Sequence, residues 1–171
     1  LAAYKNAPLD FAAALQAGAN SVLDNVPELP GRTLLLLDRS GSMGSRLSER
    51  SSLSRQDAAN MFAAAFALKN KGRVDVVAFD TQVEKVKITS NDLLRVVEND
   101  MPEARGGTAT AKALRESYNG HDRILIISDE QSLNARRYWG DEYTVDEVLD
   151  RYVPAHVNVF TWNLAGYEAA H

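Results

Sequence analysis

The stretch LLLLDRSGSMGS, from Leu34 to Ser45, contains an apolar run that stops abruptly. Four consecutive leucines are apolar on both faces of a strand, which is typical of a strand in the middle of a parallel sheet. An acid, an arginine, three serines and two glycines then leave almost nothing apolar to continue the run. Because ligands of such sheets bind beyond the carboxyl ends of the strands, we expect a binding site directly after Leu37.

Composition limits the classes of function. The chain has 171 residues, which fits one domain with a full core. Its net charge of −4 argues against a general electrostatic attraction to nucleic acid and leaves room only for a local basic patch. The absence of cysteine excludes disulfides, thiolate metal sites and cysteine nucleophiles, and fits a reducing compartment. No apolar run approaches the roughly 18 residues of a membrane span, so we expect no membrane partner and a cytoplasmic location.

The fold class follows from short apolar strands that alternate with helices. Such an alternation predicts an α/β fold of the Rossmann-like, doubly wound type, with a mostly parallel central sheet and helices on both faces. The segment TQVEKVKI carries charges typical of an exposed edge strand and follows a tight turn, so it predicts one antiparallel edge strand. The strands of the sheet are predicted in TLLLLD, RVDVVAFD, TQVEKVKI, RILIIS and HVNVFTWNL.

Helices are predicted from apolar spacing and from capping residues. Residues 7–26 repeat apolar side chains every three or four positions. Capping residues predict three further helix starts, at Ser54, at Ser90 or Asn91, and at Thr144. Directly after the apolar repeat of residues 7–26, the segment VPELPG contains two prolines and a glycine, which end the helix. Residues 1–30 are therefore interpreted as an N-terminal helix and linker and residues 31–171 as the main domain. Because the chain begins with leucine, we expect it to be a piece of a longer protein.

Oxygen-bearing side chains alternate at Asp38, Ser40 and Ser42. A turn that leaves the strand can aim side chains spaced by two toward one point above the sheet. All three are hard oxygen ligands, which favours Mg²⁺, Mn²⁺ or Ca²⁺ over zinc or copper. Three side chains do not complete an octahedron, so further oxygens have to come from other loops.

Two other predicted loops offer such oxygens. Thr108 follows two glycines and precedes a helix, and Asp129 lies at the exit of the buried strand RILIIS. Together with Asp38, Ser40 and Ser42 they make a candidate metal site of five side chains and two negative charges. Mg²⁺ keeps several waters in most protein sites, so one could be exchanged for a carboxylate or phosphate oxygen of a partner.

This three-part pattern resembles the metal-ion-dependent adhesion site of von Willebrand factor A domains. D-x-S-x-S after a buried strand, then G-G-T, then an aspartate that ends a later strand occur here in that order, over about residues 31–164. The resemblance implies that Asp38, Ser40, Ser42, Thr108 and Asp129 coordinate the metal, some of them through water. A domains normally continue after the strand near Trp162 into another strand and helix, which this chain would lack in part.

The chain is also similar to the C-terminal portion of Ro autoantigen (TROVE) proteins, through VPELPGRTLLLLDRSGSM, VVAFDTQV, ARGGTAT and VFTWNLAGY. That family binds small noncoding Y RNAs and the ends of misfolded RNAs, chiefly through a helical ring. The resemblance implies a non-catalytic metal-binding domain of such an RNA-binding protein. The sequence does not reveal the oligomeric state, and we expect the chain by itself to be a monomer. Either an acidic protein ligand or RNA would bind at the metal, and Y RNA would bind through the parent protein.

Other interpretations of the same residues stay open. Asp38 could serve as the nucleophile of a magnesium-dependent phosphatase, although Ser40 stands where such an enzyme needs an acid. The domain could instead be an interaction module with a vestigial metal site. Thr108 or Thr110 could simply cap the following helix, and Asp38 and Asp129 could be turn residues.

Three further expectations concern arginine and tryptophan. We expect the Arg39 side chain to point to solvent, because a cation turned inward would weaken a metal site. Trp162 lies in an apolar strand and is predicted to belong to the core. A basic surface at the same end of the sheet would suit phosphate recognition; its predicted members are Arg39, Arg46, Arg50, Arg105, Arg136 and Arg137.

Overall fold

The computed structural model describes residues 11–129 and 143–165, which contain one five-stranded sheet. The strands are β1 (Thr33–Asp38), β2 (Val74–Phe79), β3 (Val83–Lys85), β4 (Arg123–Ser128) and β5 (Asn158–Asn163). Their order across the sheet is β3-β2-β1-β4-β5, and only the β2–β3 pair is antiparallel. The predicted mostly parallel sheet with one antiparallel edge strand is therefore confirmed.

The leucine run forms the central strand. Every residue of β1 is buried, because β2 and β4 flank the strand and helices cover both of its faces. Leu35 and Leu37 belong to the core on one face, and Leu34 and Leu36 to the core on the other. In the register, Asp38 pairs with Phe79, and Leu37 pairs with Ile127. The three strands thus end side by side, which places the loops that follow them at one edge of the sheet.

In the described part of the chain, five α-helices lie on the two faces of the sheet. They are α1 (Ala12–Ser21), α2 (Arg55–Lys69), α3 (Leu93–Asn99), α4 (Thr110–Ser117) and α5 (Val145–Tyr152). Helices α2 and α3 contribute to the core that contains Leu35 and Leu37, whereas α4 and α5 contribute to the core that contains Leu34 and Leu36. Short 3₁₀ turns follow α1 at Val22–Asn25 and β1 at Gly41–Gly44. The predicted doubly wound α/β arrangement is confirmed.

The helix starts show where local sequence signals were sufficient. The capping boxes before α2 and α5 are both present, with Ser54 and Thr144 as the capping residues. Helix α3 begins one or two residues later than predicted, since Asp92 rather than Ser90 or Asn91 is the cap. The Asp92 carboxylate accepts a hydrogen bond from the Arg95 amide, and the Ser90 hydroxyl accepts one from the Asp92 amide, so Ser90 stabilises the preceding turn.

The segment before β1 packs against the sheet domain. The predicted helix over 7–26 is α-helical from Ala12 to Ser21, and residues 1–10 lie outside the described part. The side chain of Asn20 accepts a hydrogen bond from the Leu93 amide at 2.9 Å, which ties α1 to the start of α3. The Leu29 amide likewise donates to Asn70 Oδ1 at 2.7 Å. The division at residue 30 stays a prediction.

Trp162 is not a core residue, contrary to the prediction. Its exposed fraction is 38%, although its ring packs edge-on against Phe62 at a centroid distance of 4.6 Å. The neighbouring Phe160 is 53% exposed. The physical reason is position, because β5 is the outermost strand of the described sheet and pairs on one side only. An apolar strand sequence cannot by itself separate a central strand from an edge strand.

Candidate metal centre

Asp38 is the last residue of β1 and is fully buried. Its Oδ1 accepts a hydrogen bond from the Ser40 amide at 2.8 Å, and its Oδ2 accepts one from the Ser128 hydroxyl at 2.6 Å. Burial, with a smaller contribution from the nearby charge of Asp129, raises the pKa of Asp38 to about 6 despite these hydrogen bonds. The site thus holds a carboxylate whose negative charge is costly in the metal-free domain.

Ser40 and Ser42 bring two hydroxyls together above β1. Their Oγ atoms lie 3.2 Å apart, within hydrogen-bond distance. The 3₁₀ turn at Gly41–Gly44 produces this approach, and the fully buried side chain of Met43 holds the turn against the core. The prediction that these two serines share one point above the sheet is consistent with this geometry.

Asp129 directly follows β4 and is 1% exposed. Its Oδ2 accepts a hydrogen bond from Arg55 Nη1 at 3.0 Å. Its Oδ1 is buried and has no hydrogen-bond partner among the residues that the structure describes. Because a buried carboxylate oxygen without a partner is costly, this atom is suited to contact a ligand from outside the chain.

Backbone hydrogen bonds hold the loop that carries Thr108 against the first loop. The Gly41 amide donates to the Gly106 carbonyl at 3.0 Å, and the Ala109 amide donates to the Asp80 carbonyl at 2.8 Å. Gly106 has a φ of +70°, and a Cβ there would lie 3.2 Å from the Cβ of Asp80, so this close approach favours glycine. Thr108 lies between these two anchored positions.

The simpler interpretation of Thr108 and Thr110 as helix caps is wrong. The capping position of α4 is Ala109, whose side chain makes no capping hydrogen bond. Thr110 is already the first helical residue and is buried. The Thr108 hydroxyl is therefore not used to begin the helix, which leaves its predicted role as a ligand in place as a prediction.

Arg39 does not point to solvent, contrary to the prediction. Its side chain is 5% exposed and turns sideways from the site, where its Nε lies 3.1 Å from Asp80 Oδ2. Its Nη1 donates a hydrogen bond to Glu84 Oε2 at 2.8 Å. The physical reason is that β2 ends beside β1 and β3 runs back along it, so both acids lie within reach. The cation is thus neutralised by acids outside the predicted metal set.

Asp80 is a structural residue of this edge that the sequence analysis treated only as a turn. It is 4% exposed and accepts a hydrogen bond from Arg105 Nε at 3.1 Å. Burial raises its pKa, but the hydrogen bonds from the Gln82 amide and Arg105, with the charges of Arg39 and Arg105, outweigh burial and lower it overall. The signal that could have identified it is an acid at the end of an apolar strand in VVAFD, as in LLLLD.

Fewer arginines are available to the predicted basic surface than the sequence indicated. Arg39 and Arg105 both pair with Asp80, whereas Arg46 and Arg50 are exposed. Arg136 and Arg137 lie outside the described residues. Arg55 contacts Asp129 and was missed, because no local signal marks the first residue of a helix as a member of the site.

The donor set fits a small hard cation. Two buried carboxylates and two facing hydroxyls are oxygen ligands of the kind that Mg²⁺ and Ca²⁺ prefer. Within residues 11–129 and 143–165, no group of three or more His, Cys, Asp or Glu side chains is arranged to hold a metal ion, so a cation at this site would depend on hydroxyl oxygens as well. The unpartnered Asp129 Oδ1 is the observation that favours such a ligand.

Known structures share this fold. The crystal structure of the Deinococcus radiodurans Ro (RSR) protein aligns at a TM-score of 0.68 and 20% identity, over 95% of this chain and 33% of that one. The conserved hypothetical protein BatB from Bacteroides thetaiotaomicron aligns at a TM-score of 0.53 and 16% identity, over 77% of this chain and 65% of that one. This chain therefore spans about a third of the Deinococcus protein, and likeness at these identities is a likeness of fold.

Sequence comparison identifies the family. No curated protein matches the chain. In the described residues, no helix combines the length and the apolar character needed to cross a bilayer. Residues 33–131, more than half of the chain, match the model of the von Willebrand factor type A domain. This region contains β1, the loop with Ser40 and Ser42, the loop with Thr108, and Asp129. The chain therefore belongs to the von Willebrand factor type A domain family.

Proposed function

We propose that this chain is a non-catalytic ligand-binding domain that depends on a divalent cation, Mg²⁺ in the first instance, with Mn²⁺ or Ca²⁺ as the other candidates. Asp38, Ser40, Ser42, Thr108 and Asp129 would hold the cation directly or through water. The observation that carries the proposal is the pair of buried carboxylates beside two facing hydroxyls, with one carboxylate oxygen lacking a partner. A bound cation would supply a coordination position for an oxygen of a partner.

The partner that we propose first is an acidic protein side chain. Arg39 and Arg105, which the sequence suggested as phosphate contacts, are already paired with Asp80. That pairing removes much of the excess positive charge that an RNA backbone would need. A single carboxylate at the cation requires no such basic surface. An RNA phosphate at the same position is the alternative that binding experiments have to exclude.

The parent protein that we propose is a Ro-type RNA-binding protein with a role in small noncoding RNA binding and RNA quality control. The alignment to the Deinococcus Ro protein supports this, since it covers 95% of the chain and so extends beyond the family match at 33–131. Binding of Y RNA would then belong to the parent protein and not to this domain. A cytoplasmic location stays a prediction from the sequence.

Calorimetric titration of the 171-residue chain with Mg²⁺ tests the metal site. We expect binding heat for the unmodified chain and none for Asp38→Ala, because that substitution removes a central carboxylate ligand. Glu103→Gln is the matched control, since Glu103 is an exposed acid on the loop that leads to Thr108. Equal heats for the unmodified chain and Asp38→Ala would contradict the proposal and favour a vestigial site.

The non-catalytic part of the proposal has its own test. Ser40 occupies the position where a phosphatase would need an acid, and its hydroxyl faces that of Ser42. We therefore expect no turnover of a generic phosphate ester in the presence of Mg²⁺. Turnover that is lost in Asp38→Ala would establish the phosphatase alternative instead.

A further inference from the structure

Arg55 reaches the candidate metal site because the chain folds back after the serine loop. The Arg55 amide donates to the Ser45 carbonyl at 2.9 Å, and Arg46 forms an antiparallel bridge with Ser54. The capping box formed by Ser54 and Asp57 then begins α2 at this point. Arg55 is therefore held at the site edge of the sheet by the same backbone that carries Ser40 and Ser42.

The contact between Arg55 and Asp129 is close but incomplete. Nη1 of Arg55 lies 3.0 Å from Asp129 Oδ2, and the two side chains are 16% and 1% exposed. Among the residues that the structure describes, neither the buried Nε of Arg55 nor the second oxygen of Asp129 has a hydrogen-bond partner. The strong form of such a pair uses two parallel hydrogen bonds. Here only one hydrogen bond is made, so the pair leaves a donor and an acceptor unused inside the site.

The contact between Arg55 and Asp129 places a positive charge beside two buried acids. Asp38 and Asp129 are both buried, and the charge of Asp129 acts on Asp38. Two other arginines of this edge, Arg39 and Arg105, both pair with Asp80 and Glu84. Arg55 is therefore the cation that contacts the candidate ligand set in the described part of the chain.

We propose that Arg55 is the internal counter-ion of the metal-free domain and competes with the divalent cation for Asp129. This inference rests on the proposed function, since it assumes that a cation binds there. When a cation coordinates Asp129, the guanidinium either gives up its hydrogen bond or stays close to a second positive charge. Both outcomes cost free energy, so Arg55 sets the affinity of the site below the value that its oxygen ligands alone would reach.

Calorimetric titration with Mg²⁺ alone tests the competition. We expect Arg55→Gln, which removes the charge, to bind Mg²⁺ at least about tenfold more tightly. A tenfold change is about 1.4 kcal/mol, which lies between the interaction of two unit charges ~4 Å apart in bulk water and that near a protein surface. Arg55→Lys keeps the charge and should stay within a few-fold of the unmodified chain. Arg95→Gln, an exposed arginine on α3, is the matched control and should not change the affinity.

Thermal unfolding with and without Mg²⁺ separates a counter-ion from a purely structural arginine, because Mg²⁺ would not compensate for the loss of a purely structural arginine. In a chelator, Arg55→Gln should melt below the unmodified chain, because Asp129 is left as a buried charge without a partner. Saturating Mg²⁺ should close most of that gap, and folding of the variant only with Mg²⁺ would support the proposal in its strongest form. A gap that Mg²⁺ leaves unchanged, or a variant unfolded under both conditions, would overturn it.

The outcomes separate this inference from the function on which it rests. Binding to the unmodified chain with equal or weaker binding to Arg55→Gln would overturn the role of Arg55 and leave the metal site standing. No binding to any folded variant would overturn the metal site and the inference with it. Tighter binding to Arg55→Gln than to the unmodified chain would support the competition directly.

Discussion

The two ends of the sheet both contain an aspartate beside an arginine, but within residues 11–129 and 143–165 the polar groups are fully paired around one of these aspartates and not around the other. At the amino end of β2, Asp75 accepts hydrogen bonds from Lys85 and Arg32 and lies 3.0 Å from His121 Nε2. The second ring nitrogen of His121 accepts a hydrogen bond from the Asn119 amide. At the carboxyl end of β4, Asp129 has one oxygen paired with Arg55 and the other without a partner.

The pKa directions express the same contrast. The hydrogen bond from Lys85, with smaller contributions from His121 and Arg32, holds the pKa of Asp75 well below its usual range despite partial burial. Burial instead raises the pKa of Asp38 to about 6. The Asp75 cluster therefore stabilises its own charge, whereas the Asp38 site leaves its charge uncompensated. One end is a structural contact whose charges are paired, and the other keeps a carboxylate oxygen without a partner among the described residues, as the proposed binding site requires.

The largest expected effect comes from the contact that supports the binding end. Asp80→Ala should lower the free energy of unfolding by about 3–5 kcal/mol, because it leaves Arg39 buried with only the exposed Glu84 as a partner. Chemical denaturation measures this loss. The matched control is Glu84→Gln, the surface partner of the same arginine, which should cost no more than about 1 kcal/mol. Similar losses for the two variants would show that Asp80 has no special role.

The next effect is a pH dependence of opposite sign at the two ends. The folded pKa of Asp38 lies above its unfolded value, so its contribution to stability is present below about pH 4 and is lost as the pH rises through 6, roughly 3 kcal/mol in total. The contribution of Asp75, whose pKa is lowered, is present at neutral pH and is lost in acid.

Denaturation at several pH values in a chelator measures the Asp38 part of this dependence. The difference in stability between the unmodified chain and Asp38→Asn isolates it from His121, whose pKa is lowered by burial and whose contribution falls in acid. Under the metal-site proposal, Mg²⁺ should restore stability at pH 7 and do little at pH 4, where Asp38 is protonated. A difference that stays flat between pH 4 and 7 would contradict the assigned burial.

The smallest effect tests whether the satisfied end is only structural. Asp75→Asn should lower the free energy of unfolding by about 1–2 kcal/mol, since it weakens charged hydrogen bonds at a partly exposed position. Its Mg²⁺ affinity should equal that of the unmodified chain, because Asp75 lies at the opposite end of β2 from Asp80. Calorimetry on the folded variant measures the Mg²⁺ affinity. A changed affinity would show that the two ends of the sheet are coupled and that Asp75 is more than a structural residue.

Much of the fold could be predicted because its signals are local. Consecutive leucines predict a central strand, and the residues Ser54 and Thr144 predict helix starts through capping boxes that involve only four residues each. The start of α3 was misplaced because Ser90, Asn91 and Asp92 are all good caps, and the choice depends on which side chain can reach the Arg95 amide. Trp162 was misplaced because a strand sequence does not report how many neighbours the strand has.

For the candidate site, the sequence determined the chemical types and the order of the loops. Asp38, Ser40, Ser42, Thr108 and Asp129 were named from strand ends and glycine turns, since parallel strands bring their carboxyl ends to one edge. Only the tertiary structure decided which charges meet there. Arg39 turns to Asp80 and Arg55 turns to Asp129, because a long flexible side chain takes whichever buried acid the folded backbone places within its reach, and residues 39 and 80 or 55 and 129 are brought together by the fold alone.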